Sequence, residues 1–269
     1  MNLATIRQAT RIAEIRWLPE LDSTNSFAIR ELHSFHELPI LIGTNKQTGG
    51  RGRGKNSWWA GDGALTFSLV LKPGEMGVPQ SVWPILSLIV GLSVCEGLEQ
   101  VTPELSFLIK WPNDVYLRQK KICGILIETV SQQADTLVVG VGINVNNSLA
   151  EAPPDIQERA TSLVDCVSQE YVRAEAVLLN VLNALFANLD TLAQSPTSLM
   201  TGWKRRCYLT SKLVTIENGQ DQLTGFCLGV DEDGALRLRT ELGETRFFGG
   251  TITQIADVGG PDPHAYRSV

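Results

Sequence analysis

Residues 44–59, TNKQTGGRGRGKNSWW, are the stretch from which the fold can be read most directly. They contain four basic residues and four glycines but no acid, in a chain whose formal net charge is −6. Glycine lets backbone N–H groups come close to phosphate or carboxylate oxygens, and arginine adds bidentate donors. The stretch therefore predicts a loop that binds a small anion, between apolar strands at 40–43 and 64–71.

The composition limits the classes of protein to which the chain can belong. A length of 269 residues suits one large domain, or one domain with a small satellite. A pI near 5.2 provides no general attraction to nucleic acid or to anionic membranes. Five scattered cysteines and three histidines, without CxxC spacing, argue against a zinc site and a disulfide framework. The most apolar run, 82–95, is shorter than the roughly 20 residues that span a bilayer, so we expect a cytoplasmic protein.

Strand and helix patterns are mixed up to about residue 205, and short strands follow. The first part predicts strands at 14–18, 40–43, 64–71, 105–110, 122–130 and 136–145, helices at 23–35, 79–100 and 171–192, and a loop at 148–159. Strands at 212–217, 222–230, 235–240 and 244–248 are joined by hairpin signals such as Asn218-Gly219. We predict an α+β fold with a mixed or antiparallel sheet in residues 1–204, a small β-barrel in 205–257 and a flexible tail in 258–269. Strand 136–145 could lie at an edge and pair with a second subunit.

Three further segments carry polar residues at predicted strand ends. In Lys110–Asp114, KWPND, Pro112 predicts a turn that can aim Lys110, Asn113 and Asp114 into one cleft. Lys121 precedes an apolar strand and would need an anion if it were buried, or it could be an exposed lysine at a sheet edge. Interior strand glycines such as those of 140–144, GVGIN, often mark close approach of a ligand.

The basic loop also has two alternative interpretations, a nucleotide-binding P-loop and a solvated flexible loop. Residues 49–56 nearly match the nucleotide-binding P-loop, GxxxxGK[ST], but Asn56 replaces the hydroxyl that binds magnesium. No apolar strand ends in the aspartate that such enzymes place on the metal, so the P-loop is disfavoured. A solvated flexible loop is the other interpretation, and the segments elsewhere in the chain make it less favourable.

Taken in order, five segments resemble biotin protein ligases. They are Ser23-Thr24-Asn25, Gln47–Arg53, Lys110–Asp114, Lys121–Glu128 and Gly140–Asn144, and the similarity extends over about residues 14–250. One departure is visible, because Gly54-Lys55-Asn56-Ser57 stands where the family usually has another Gly-Arg pair before the tryptophan. The resemblance implies a catalytic domain of the biotin/lipoate ligase type, followed by a small SH3-like β-barrel.

The resemblance also implies an activity and its partners. Such enzymes use ATP and Mg²⁺ to form biotinyl-5′-AMP, then transfer biotin to a lysine of the biotin carboxyl carrier protein of acetyl-CoA carboxylase. Only about 22 residues precede Asp22, so we expect a short form without the helix-turn-helix domain that some members carry. We accordingly expect no nucleic-acid or membrane partner, while a homodimer is compatible with the sequence.

Site residues follow from the resemblance, position by position. Biotin is assigned to Ser23, Thr24, Asn25, Gln47, Gly50, Arg51, Gly52, Arg53, Lys121, Gly124 and Gly140, with Ile125 and Ile127 around its ring and tail. ATP or the adenylate is assigned to Arg51, Arg53, Trp58, Lys110, Asn113, Lys121 and Asn144. The catalytic group comprises Lys121, Arg51, Arg53 and Asp114, and Asp114 would orient or deprotonate the carrier lysine, or position the metal. No protein residue is assigned as a metal ligand.

Two other functions remain as alternatives. The first is a lipoate or octanoate ligase of the same superfamily, although a purely apolar ligand head would not need the polar set Ser23, Thr24 and Gln47. The second is a biotin-sensing or docking module without catalysis, which would have no need to keep Arg51, Arg53, Asp114 and Lys121 together.

Overall fold

The computed structural model describes residues 1–130, 133–241 and 243–257. The α-helices in these ranges are α1 (Leu3–Ala9), α2 (Thr24–Arg30), α3 (Leu86–Val101), α4 (Pro154–Arg159), α5 (Ala174–Gln194) and α6 (Pro196–Arg205). The β-strands are β1 (Glu14–Leu21), β2 (Ile40–Gln47), β3 (Leu65–Leu71), β4 (Leu108–Lys110), β5 (Asp114–Leu117), β6 (Lys120–Val130), β7 (Gln133–Ile143), β8 (Lys212–Asn218), β9 (Asp221–Val230), β10 (Leu236–Thr240), β11 (Gly243–Phe247) and β12 (Thr251–Asp257).

The first seven strands form one mixed sheet in the order β1-β2-β3-β7-β6-β5-β4. Strands β1 and β2 are parallel, and the helix α2 lies in the crossover that such a pair requires. The other neighbouring strands of this sheet are antiparallel. The predicted α+β fold with a mixed sheet is therefore confirmed.

Strand β7 lies in the middle of this sheet, between β3 and β6. The prediction that it could be an edge strand that pairs with another subunit is wrong. Its last eight residues are buried continuously, which is typical of a strand covered on both faces. The edge positions belong to β1 and β4.

Several element boundaries differ from the sequence prediction. The helix expected at 79–100 begins as a 3₁₀-helix, and α3 starts only after Pro84, because proline lacks an N–H and crowds the preceding turn. The segment 114–117 pairs with β6 as the unpredicted strand β5, through a turn in which Arg118 and Gln119 have positive φ. Helix α4 lies in the expected loop at 148–159, and α6 and β12 were also missed.

Two helical stretches, 80–101 and 174–194, are long and apolar enough to cross a bilayer by length and composition alone. Their most apolar windows are 67% and 50% buried inside the fold. Both contribute side chains to the same hydrophobic cluster, together with residues of the first sheet. In this structure they are the core helices of the protein.

The C-terminal strands form a second, antiparallel sheet in the order β11-β10-β9-β8-β12. No pairing joins β11 to β12 among the described residues, so the sheet is not closed into a barrel there. Its apolar side chains, including Val214 and Leu238, belong to the hydrophobic cluster that also fills the first sheet. The Trp111 indole donates a hydrogen bond of 3.0 Å to the carbonyl of Gly234, which ties the two sheets together. The tail predicted at 258–269 lies outside the described residues.

An ion pair ties the N-terminal segment to helix α5, because Arg11 donates two hydrogen bonds to the carboxylate of Asp190. These bonds lower the pKa of Asp190, so the pair stabilises the fold above the unfolded pKa of about 3.9 and loses this effect as pH falls through the lower folded pKa. We expect Asp190→Asn to reduce the free energy of unfolding by about 0.2–1 kcal/mol at pH 7, since both side chains are exposed. Urea titrations at pH 7 and near pH 2.5 would measure it, and an equal effect at both pH values would contradict the prediction.

Candidate active site

A cleft of about 360 Å³ lies between one face of the first sheet, the basic loop and the start of β12. It brings together every site residue predicted from the sequence except Gly50 and Ile127. Ile125 also lines the cleft, whereas Ile127 packs against the hydrophobic core instead. Residues separated by more than a hundred positions in the chain thus share one cavity.

Glycines on β6 and β7 form a flat floor in this cleft. Gly124 and Gly142 are directly paired across the two strands. A Cβ atom added to Gly142 would lie 2.5 Å from Trp58 Cε2, and one added to Gly124 would lie 3.3 Å from Trp58 Cζ3. The indole of Trp58 therefore rests on the sheet where side chains are absent. Its Nε1 is buried and has no hydrogen-bond partner among the residues that the structure describes.

The basic loop is a narrow hairpin that ends at Trp58. The N–H of Gly52 donates to the carbonyl of Asn56 at 2.7 Å, and the N–H of Trp58 donates to the carbonyl of Gly50 at 2.9 Å. A Cβ atom on Gly50 would lie 2.3 Å from the Trp58 carbonyl oxygen. Gly50 is therefore required by the close approach of the two hairpin strands, which explains why it supports the loop without lining the cleft.

The two arginines of the hairpin contact different parts of the protein. Arg51 donates two hydrogen bonds, of 2.9 and 2.6 Å, to the carboxylate oxygens of Glu128 on β6. Arg53 donates to the carbonyl of Gly250, immediately before β12. Burial lowers the pKa of Arg53, and the negative charge of Asp114 opposes this shift. The hairpin is thus held on one side by the sheet floor and on the other by the C-terminal sheet.

Lysines and an aspartate gather at the KWPND turn, where the Trp111–Pro112 peptide is cis. Lys121 Nζ lies 2.7 Å from Asp114 Oδ1. Lys110 Nζ lies 3.3 Å from the Tyr116 hydroxyl, and burial lowers the pKa of Lys110 and raises that of Tyr116. The turn and the start of β6 therefore bring two amines and a carboxylate together at the cleft.

Polar groups at the other end of the cleft come from the start of helix α2. Ser23 caps this helix by accepting a hydrogen bond from the N–H of Ser26. The N–H of Thr24 donates to Gln47 Oε1 at 3.0 Å. This part of the cleft offers hydroxyl and amide groups to a ligand, whereas the KWPND turn and the start of β6 offer the amines of Lys110 and Lys121.

Three amides assigned to ligands make hydrogen bonds within the protein. Asn113 Nδ2 donates to the carbonyl of Ile125 at 2.7 Å. Asn144 Nδ2 donates to the carbonyl of Thr161 at 3.0 Å, and its oxygen accepts from Asn147. Asn25 Nδ2 donates to Glu128 at 2.8 Å and also to the carbonyl of Leu126. These side chains shape the walls of the cleft, and their direct contact with a ligand stays a prediction.

Sequence reasoning missed Tyr116, Arg159 and 250–252 in the lining of the cleft, and it missed Glu128 and Ser68, which form hydrogen bonds with Asn25 behind it. Glu128 was visible as the last residue of the segment Lys121–Glu128, but nothing in the sequence indicated its partner. Ser68 lies in a strand with no exposed residue, where a hydroxyl needs a hydrogen-bond partner, and this was an available signal. No local pattern connects residues 250–252 with a cleft built from the first 160 residues.

Comparisons with known proteins identify a family and several chains of similar sequence and fold. The model of the Biotin/lipoate A/B protein ligase family matches residues 17–146. The bifunctional ligase/repressor BirA of Bacillus subtilis is 28% identical over 217 residues, which cover 79% of this chain and 65% of the relative. The chain thus spans about two thirds of the length of that relative.

Two further comparisons cover more of the related chain. The biotin–[acetyl-CoA-carboxylase] ligase of Mycobacterium tuberculosis is 31% identical over 205 residues, covering 74% of this chain and 73% of the relative. The structure of biotin protein ligase from Aquifex aeolicus in complex with biotin and ATP matches with a TM-score of 0.78 and 32% identity, covering 92% of this chain and 100% of that one. From the residues of the cleft, the fold and these similarities, the chain belongs to the biotin/lipoate A/B protein ligase family.

Proposed function

We propose that this protein is an ATP-dependent biotin–protein ligase. The observation that carries the proposal is the layout of the cleft. Ser23, Thr24 and Gln47 line one part of the cleft, the glycine floor of Gly124 and Gly142 lies under Trp58, and Lys121 lies against that floor at Gly124. Biotin has a matching polar ureido head, an apolar ring and tail, and a terminal carboxylate. The Aquifex protein that this chain resembles was crystallised with biotin and ATP.

The chemistry that this layout supports has two steps. In the first, an oxygen of the biotin carboxylate attacks the α-phosphorus of ATP, and pyrophosphate leaves as biotinyl-5′-AMP forms. In the second, a carrier lysine amine attacks the acyl carbon, loses a proton and releases AMP. Arg51, Arg53 and Lys121 would offset the repulsion between carboxylate and phosphates, and oriented donors of this kind are commonly worth several kcal/mol each.

Asp114 forms an ion pair with Lys121 at the cleft, with Oδ1 2.7 Å from Nζ. We propose that this contact keeps the lysine aimed at the adenylate, with Asp114 then able to orient the incoming carrier lysine. Burial of Lys110 lowers its pKa but leaves it as a further donor beside Tyr116. Trp58, on its glycine floor, would flank the adenine, with Asn113 and Asn144 shaping the same wall.

Magnesium is a cofactor that this activity implies. The described residues contain no group of three or more histidine, cysteine or acidic side chains that could hold a metal ion. Asp114, which lines the cleft, and Glu128, which contacts the lining residue Arg51, each pair with a cation. Mg²⁺ commonly binds through substrate phosphates with one or two carboxylates, so ATP would supply most of its ligands, with Asp114 as the protein candidate. The ion would neutralise phosphate charge.

The proposal includes a partner, a location and a domain division. The partner is a biotin carboxyl carrier protein, such as that of acetyl-CoA carboxylase, in keeping with the name of the Mycobacterium relative. We further propose a cytoplasmic protein without a nucleic-acid partner, given the net charge of −6. A catalytic domain at 1–204 and an SH3-like module at 205–257 are supported by the two separate sheets.

Pyrophosphate release from ATP and Mg²⁺ is the direct test, measured without an acid and with biotin, lipoate or octanoate in turn. We expect release only with biotin, because the cleft has a polar end that an aliphatic acid would leave without hydrogen bonds. Release with lipoate or octanoate, and not with biotin, would assign the protein to the other branch of the family. Biotin binding without release would instead support a module that lacks catalysis.

A further inference from the structure

Glu128 is an acidic residue that contacts Arg51 and Asn25, two residues of the cleft lining, and that the two-step mechanism does not use. It lies on β6, and about a quarter of its side chain, 24%, is exposed. Its oxygens accept both hydrogen bonds from Arg51 and a third, of 2.8 Å, from Asn25 Nδ2. A carboxylate beside the binding site of an anionic ligand repels that ligand. The presence of Glu128 at this place therefore needs a physical explanation.

A chain of hydrogen bonds connects Glu128 with the polar end of the cleft. Asn25 Oδ1 accepts a hydrogen bond of 2.6 Å from the Ser68 hydroxyl, which is fully buried. The same hydroxyl lies 2.7 Å from Thr24 Oγ1. The N–H of Thr24 donates to Gln47 Oε1 at 3.0 Å. An unbroken polar path therefore runs from the groups that face the ligand head to the carboxylate that holds Arg51.

The fold makes room for this path. A Cβ atom on Gly140 would lie 2.3 Å from Asn25 Oδ1, so a side chain at this position would displace the amide. Asn25 is itself only 3% exposed, and its amide makes its hydrogen bonds to protein groups on both sides. Buried polar groups that are fully bonded hold one another in a single arrangement.

Arg51 needs such support, because it lies in a hairpin with four glycines at 49, 50, 52 and 54. Glycine-rich backbone is costly to order, and an arginine side chain adds further rotational freedom. A bidentate pair with a carboxylate fixes the plane of the guanidinium. Two of its five N–H groups bond to Glu128, and within the described residues the other three have no recorded acceptor.

We propose that Glu128 is a positioning residue that holds Arg51 in the orientation in which it receives the carboxylate of the ligand. Through Asn25, Ser68 and Thr24, this orientation is tied to the end of the cleft that receives the ligand head. The inference rests on the proposed function in one respect, since it takes the ligand to be an acid with a polar head. It predicts that loss of Glu128 weakens recognition of the carboxylate and leaves recognition of the head unchanged.

Biotin and biotinol, in which the carboxylate is replaced by an alcohol, separate these two contributions. Their dissociation constants would be measured by calorimetry for the wild type, Glu128→Gln and Glu128→Asp. Glu20→Gln is the matched control, because Glu20 forms an exposed ion pair with Lys46 outside the cleft. We expect Glu128→Gln to reduce the preference for biotin over biotinol by about tenfold, the effect of losing a hydrogen bond to a charged group, with biotinol affinity unchanged. Glu20→Gln should keep the preference of the wild type.

Three results would overturn the inference. Equal weakening of both ligands would mean that Glu128 only stabilises the fold, and tighter biotin binding would mean that it competes with the ligand for Arg51. An unchanged preference for biotin over biotinol in either variant would show that Glu128 does not position Arg51. Glu128→Asp keeps the negative charge but shortens the side chain. If Glu128→Gln does not fold, the preference of Glu128→Asp for biotin over biotinol tests the inference. A wild type that binds biotin no better than biotinol would overturn the proposed function as well, which distinguishes the two failures.

Discussion

Replacement of Lys121 by alanine is expected to reduce biotin-dependent pyrophosphate release by about a hundredfold to a thousandfold, the usual effect of removing one oriented donor. Lys121 Nζ lies in the cleft, 2.7 Å from Asp114 Oδ1 and 5.8 Å from the centre of the Trp58 ring. Its loss removes a positive charge and also leaves Asp114 without this partner, so the remaining carboxylate would repel the phosphates. The measurement is the steady-state rate of pyrophosphate release at saturating ATP and biotin.

The neighbouring residue on the same strand supplies the control. Lys120 also begins β6, but its Nζ donates to the carbonyl of Gln157 at 2.9 Å and does not line the cleft. Lys120→Ala removes the same charge from the protein and should keep the rate within about twofold, because exposed charges contribute little. A Lys121→Ala rate within threefold of the wild type would show that this lysine has no part in adenylation.

Replacement of Gly142 by valine is expected to lower kcat/KM for ATP by about tenfold to a hundredfold, since small misplacements of a binding group have effects of this size. The added Cβ would lie 2.5 Å from Trp58 Cε2 and 2.6 Å from Trp58 Nε1, so the indole must leave the sheet floor. In the proposed function this indole flanks the adenine, so the effect should fall on ATP more than on biotin. The measurement is the dependence of pyrophosphate release on ATP at saturating biotin.

A glycine in open space serves as the control for this substitution. Nothing lies within 4 Å of a Cβ atom added to Gly74, in a 3₁₀-turn away from the cleft. Gly74→Val should leave kcat/KM for ATP unchanged. If Gly142→Val bound ATP as the wild type does while remaining folded, the indole would have no role in the nucleotide site.

Local sequence patterns predicted many of the helices, strands and turns, because these elements depend on neighbouring residues. The capping residue Ser23, the apolar spacing of helix α5 and the hairpin signal Asn218-Gly219 each specify structure within a few residues. The predictions that depended on contacts between distant segments were weaker. Strand β5 was missed because four residues after a proline turn carry little periodicity, and their pairing with β6 decides their conformation.

In the candidate site, too, local motifs could be recognised in the sequence, whereas contacts between distant residues could not. Most of the predicted site residues came from five short segments, and those residues line the cleft. Their partners could not be found in this way, because Arg51 meets Glu128 across 77 positions and Arg53 meets Gly250 across 197. Hydrogen bonds over such distances exist only after the sheet and the hairpin have been packed together.

The sequence by itself determined the five motif segments, the mixed α+β class and the family resemblance, because these depend on residue types and their order. Only the tertiary structure decided which charges are paired, which glycines form a floor under Trp58, and that β7 lies at the centre of its sheet. The physical reason is that ion pairing and steric contact depend on distances of a few ångströms. Those distances are set by strand register and by the packing of the second sheet on the first.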